Sequence, residues 1–167
     1  MKLCSLWPVR AYCIGSLVCA VMLLFGCSSA PPAPLWQVDA KGSMDRALSA
    51  YLEGNASVQR AEMRHTRAAL ARTGRPQALA QAELLLCAAQ TAALDASPCT
   101  EFDALHADAS DAQRSYAAYL AGASLTPTQI EHLPAAQRPV ARRGPQDAST
   151  LPAEMEPLAL LVAAGNL

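Results

Sequence analysis

About a quarter of the residues beyond position 27 are alanine, the best helix former and one that brings little apolar surface of its own. That bias constrains the fold more than any other feature. It favours helix, and it requires the helices to approach closely around a modest core. Large aromatic side chains beyond position 27 are few: Trp36, Tyr51, Phe102, Tyr116 and Tyr119. No stretch alternates apolar and polar residues as a half-buried strand does. The sequence therefore predicts an all-α body made of antiparallel helical hairpins.

The apolar periodicity places the helices. Met44, Ala47, Leu48, Tyr51 and Leu52 form one face of a helix starting near Ser43 and ending at Gly54-Asn55. A second helix is expected from Ser57 to Thr73, with Arg60, Glu62, Arg64 and Arg67 outside and Gly74 as its stop. Pro76 opens a third, which runs to Asp95 and buries Leu79, Ala82, Leu85, Leu86, Ala89 and Ala93. This helix is apolar almost all round, so it should be central. Shorter helices follow over Thr100–Ala107 and Asp111–Ala121, then one opened by the capping box Thr126-Pro127-Thr128-Gln129. Arg138–Pro152 reads as the least ordered stretch, and a last helix spans Ala153–Ala164. That apolar last helix either closes the bundle, docks on a partner, or is what remains of a longer relative.

Ala50-Tyr51-Leu52-Glu53-Gly54 recurs as Ala118-Tyr119-Leu120-Ala121-Gly122, an offset of 68 residues. Tetratricopeptide repeats have a 34-residue period, with Tyr-x-x-Gly near the end of their first helix. The Tyr51–Gly54 unit, its Ala-rich second helix and Pro76 resemble one such repeat with a lengthened turn. The fold is thus expected to be either tetratricopeptide-like or an irregular bundle. Tyr51 and Tyr119 either lie in the core or line a peptide-binding groove, a place where aromatic residues are common.

The N-terminus has three zones. Met1–Arg10 carries Lys2 and Arg10 and no acid, Ala11–Phe25 is a 15-residue apolar run, and Gly26-Cys27-Ser28-Ser29 follows. These are the parts of a secretory signal peptide. The run is shorter than the ~20 residues a helix needs to span a bilayer core, so a permanent membrane helix is the weaker reading. Leu24-Phe25-Gly26-Cys27 resembles the lipobox of bacterial lipoproteins, with Phe25 departing from the small or β-branched residue usual there. Membership implies cleavage before Cys27 by signal peptidase II and acylation of that cysteine. Several acyl chains give stable anchoring, at about 0.8 kcal/mol per buried methylene. Ser28, rather than Asp, implies transport to the outer membrane, on its periplasmic side, with the inner membrane as the alternative. The chain as a whole resembles helical lipoproteins of proteobacteria, a likeness that implies no activity.

Cleavage would remove Cys4, Cys13 and Cys19, and lipid would occupy Cys27. Cys87 and Cys99 then remain, an even pair in an oxidising compartment. Cys87 lies roughly 12 Å back from the expected helix end. Four residues of returning chain reach about 13 Å, so a turn at Ser97-Pro98 brings Cys99 alongside. A disulfide is expected there. Without Lys2 and Arg10, 11 basic residues face 14 acidic ones, a net charge of −3. No basic stripe points to nucleic acid. The local cluster of Arg138, Arg142 and Arg143 reads as a solvated loop.

The candidate chemistry is sparse. Glu62 and His65 stand at i, i+3, as do Asp103 and His106, a spacing used in di-iron helix pairs. No further inward carboxylates are evident, and a surface histidine beside an acid is the plainer reading of each. His132 has no partner set. No metalloprotease, nucleophile-elbow, P-loop or dinucleotide motif occurs. No catalytic residue, metal or cofactor is assigned.

The expected organisation is a signal peptide over residues 1–26 and a lipidated Cys27 with a Pro-rich tether over 27–36. A helical domain follows over 37–133, then a Pro-rich segment with a C-terminal helix over 134–167. The expected role is a membrane-anchored, non-enzymatic interaction or assembly factor of an envelope protein complex. One specific version is a pilotin-like chaperone that binds a helix of a secretion-pore subunit. Alternatives of other classes are an envelope hydrolase with a site assembled from distant residues, and a small-ligand or metal carrier.

Overall fold

The computed structural model describes residues 33–143 and 157–165, and among these it contains eight helices and no strand. The first, α1, spans Leu35–Leu52 and begins two turns before the start expected near Ser43. Trp36, packed on the core, extends the buried stripe of Ala40, Met44, Ala47 and Ala50 backwards. That stripe keeps the early turns helical.

Two Schellman caps explain the pentapeptide echo. At the end of α1, Asn55 N–H donates to Ala50 O at 2.8 Å and Gly54 N–H to Tyr51 O at 3.0 Å. Ala123 N–H to Ala118 O and Gly122 N–H to Tyr119 O repeat the pattern, each at 3.0 Å. Gly54 and Gly122 supply the left-handed residue this cap needs, at φ 74° and 68°. Asn55 then turns the chain into α2, Ala56–Ala71, its Oδ1 accepting from Val58 N–H. α1 and α2 pack as an antiparallel hairpin.

The central helix α3, Pro76–Ala92, has proline in its first turn. It is buried on two sides. Ala82 and Leu86 join Met44, Ala47, Met63, Ala69 and Leu70 in one cluster. Ala80, Leu84, Cys87 and Ala88 join Phe102, Tyr119, Leu120, Leu133 and Val162 in the other. The expected inner face was partly misplaced: Leu85 and Ala93 are exposed, while Leu84 is fully buried. A helix apolar all round gives no periodic signal to orient it. α3 ends in a third Schellman cap, with Leu94 at φ 60° in the glycine position.

α4, Thr100–Asp103, is a single turn rather than the longer helix expected, and it presents the buried Phe102. α5, Asp111–Leu120, opens on a Ser110–Gln113 capping box. Gln113 Nε2 also donates to Gln77 O at 2.7 Å, tying α5 to α3. α6, Pro127–His132, opens on the expected Thr126–Gln129 box. The next helix, α7, spans Arg138–Arg143, within the stretch expected to be least ordered. Arg138 Nε donates to Leu133 O at 2.9 Å, and Arg142 pairs with Glu131 at 2.6 Å. These contacts order a segment whose sequence reads as loop; residues 144–152 lie outside the described residues.

α8, Pro157–Gly165, packs on α3 and places Val162 in the second cluster. The last helix therefore closes the bundle. At its end the approach is close enough that a Cβ on Gly165 would strike the Thr91 backbone carbonyl. No helix among the described residues is long and apolar enough to cross a membrane.

Candidate functional site

Among the described residues a groove of about 550 Å³ runs along the α1–α2 hairpin. The antiparallel pairing sets Val38, Asp39, Gly42, Ser43 and Arg46 opposite Glu62, His65, Ala68, Ala69 and Arg72. Its lining includes an ion pair, Arg46 Nη2 to Glu62 Oε2 at 2.9 Å, with the same nitrogen donating to Ser43 Oγ at 3.0 Å. The hydrogen bond from Arg46 holds the Glu62 carboxyl below the usual range, and Glu62 in turn raises Arg46. A carboxylate kept ionised this way is a poor proton acceptor at neutral pH. The groove offers charged hydrogen-bonding groups rather than an acid–base pair.

The histidines are accounted for separately. His65 lines the groove while Glu62 is engaged by Arg46. His106 meets the Phe102 ring edge-on at 6.2 Å. His132 lies in the last turn of α6, beside a Glu131 paired with Arg142. Among the described residues no group of three or more His, Cys, Asp or Glu side chains is placed to hold a metal ion.

Cys87 and Cys99 are joined by a disulfide, with Cα atoms 5.8 Å apart. The bond links α3 to the start of α4. Cys27 and the residues around it lie outside the described residues.

The two tyrosines have different surroundings. Tyr51 is half-buried on the first cluster, and its hydroxyl donates to Asp95 Oδ2 at 3.1 Å. Tyr119 is buried in the second cluster, where its hydroxyl donates to Gln137 Oε1 at 2.9 Å. Gln137 Nε2 passes the link on to Ala159 O at 3.1 Å, so Tyr119 helps hold α8. The groove-lining expectation does not describe Tyr119, whose ring and hydroxyl serve packing. Beside it, burial pushes the Tyr116 phenol up to about 12.

One pair escaped the sequence reading. Arg67, expected to face outward, turns to α3 and grips Glu83 with two hydrogen bonds of 2.6 and 2.9 Å. Glu83 is only 3% exposed. A lone acid inside an apolar helix was the available signal, because a buried carboxylate needs a cation. The cluster of Arg138, Arg142 and Arg143 forms α7 rather than a solvated loop.

No family model, curated protein or solved structure matches this chain.

Proposed function

We propose that this protein is a bacterial lipoprotein, cleaved before Cys27 and held by acyl chains at the periplasmic face of the outer membrane. There its helical domain acts as a non-enzymatic interaction or assembly module. The observation that carries this reading is Leu24-Phe25-Gly26-Cys27 at the end of a 15-residue apolar run, itself preceded by Lys2 and Arg10. The Cys87–Cys99 disulfide supports it, since such bonds persist in oxidising compartments. The charged side chains in the α1–α2 groove, Asp39, Arg46, Glu62 and Arg72, favour a charged partner surface over the apolar helix that a pilotin-like chaperone would bind.

Membrane fractionation of wild type and Cys27→Ser tests the anchor. The wild type should sediment with membranes and carry added acyl mass on Cys27. The variant should lose the modification and accumulate uncleaved or soluble. A variant that stays membrane-bound in mature form would overturn the reading. Cross-linking from intact cells then tests the interaction role, and a reproducible envelope partner is the expected result.

A further inference from the structure

The start of α1 sets exposed apolar side chains beside cationic ones. Leu35 is 82% exposed and Val38 56% exposed, one helical turn apart. Between them Trp36 packs its ring on the first core cluster, with the Arg75 guanidinium 5.8 Å from the ring centroid. Arg72 lines the groove beside Val38. Neither Arg72 nor Arg75 has a carboxylate partner among the described residues. Asp39 is the acid nearest in sequence to this end, and Lys41 is neutralised by Asp45 at 2.5 Å.

This is the layering of a side chain set at a lipid–water boundary. Aliphatic groups enter the acyl region, an indole sits at headgroup level, and guanidiniums reach phosphates while their stems stay apolar. At this end Arg72 and Arg75 supply cationic groups that attract an anionic bilayer, and the exposed Leu35 and Val38 supply apolar contact beside them. Chain length agrees, since seven residues separate Cys27 from Leu35, and these eight chain steps hold Leu35 within about 28 Å of an anchored cysteine.

We propose that the Leu35–Val38 end of α1, with Arg72 and Arg75, seats the helical domain on an anionic phospholipid surface. The tether in this picture rests on the lipoprotein reading. The seat does not, and the two are tested separately.

The Trp7→Phe full-length chain has Trp36 as its sole tryptophan, whether or not residues 1–26 are removed. It is reconstituted into vesicles of brominated phosphatidylcholine, with and without phosphatidylglycerol. Trp36 fluorescence should be quenched at least twofold more with phosphatidylglycerol present. Leu35→Ser with Val38→Ser should abolish that quenching, and Arg72→Gln should reduce it. These side chains are outside the core, and circular dichroism checks that the variants keep their helix. No quenching in either vesicle, or quenching unchanged in the variants, overturns the seat. A patch covered by a partner protein instead leaves Trp36 unquenched in protein-free vesicles and also overturns it. The mass of the Cys27 peptide reports acylation independently, so an unmodified Cys27 sinks the lipoprotein reading while Trp36 still decides the seat.

Discussion

Arg67 on α2 holds both carboxylate oxygens of the buried Glu83 on α3, at 2.6 and 2.9 Å. Glu101 approaches the same guanidinium at 3.8 Å. Three helices therefore meet on one cation, and the fork geometry explains why arginine is used rather than lysine.

Arg67→Ala should destabilise the domain by about 3 kcal/mol, because it strands a buried carboxylate. Arg67→Met with Glu83→Leu should recover most of that loss, since an apolar pair of similar volume needs no counter-ion. Urea denaturation of both variants checks this. A double variant no more stable than the single one would argue that the pair's geometry, rather than its charge balance, is what matters.

Reducing the Cys87–Cys99 bond, or replacing both cysteines by serine, should lower stability by roughly 3 kcal/mol, the chain-entropy value for a short loop. Since Cys99 is the N-cap of α4, exchange protection should fall first around Phe102 and last in the α1–α2 hairpin. Hydrogen exchange with and without reductant reads that order. Uniform loss along the chain would contradict it.

Leu94→Gly should stabilise by about 1 kcal/mol, because leucine at φ 60° bears the left-handed penalty that glycine avoids. Leu94 is 76% exposed, so little packing is lost. Gly122→Ala should do the opposite, by a similar amount, at the matching position of α5. Denaturation midpoints of the two variants should move in opposite directions.

Tyr116 should titrate at about 12 in the folded protein, against an ordinary value of 10.0, because burial disfavours the phenolate. A raised acid binds its proton more tightly when folded. Its contribution to stability is complete below pH 10 and is lost as pH climbs through 12. Ultraviolet titration of wild type against Tyr116→Phe isolates this residue. A Tyr116 that ionises with the unfolded value would refute its burial.

Local chemistry was legible in the sequence, and long-range pairing was not. Gly54 and Gly122 announce helix ends because few other residues adopt that backbone conformation. Thr126 with Gln129 announces a helix start because both groups satisfy nearby amides. The cysteine pair was legible by arithmetic once Cys4, Cys13, Cys19 and Cys27 were set aside. Arg67 and Glu83 are sixteen residues apart, and nothing local marks them as partners. The first turns of α1 are stabilised by Trp36, whose ring meets Arg75 far along the chain. Tyr51 and Tyr119 share a pentapeptide, yet one reaches Asp95 at a surface turn and the other reaches Gln137 inside. Equal local sequence fixed equal caps and left the side-chain surroundings to tertiary packing.

α3 presents one side to each of the two apolar clusters. It is a party wall. If either half opens, water reaches that wall and the other half loses its backing. Neither half can then behave as an independent subdomain, and the described body should melt in a single transition despite its two cores. Damage to the α1–α2 hairpin should therefore be felt as far away as α8.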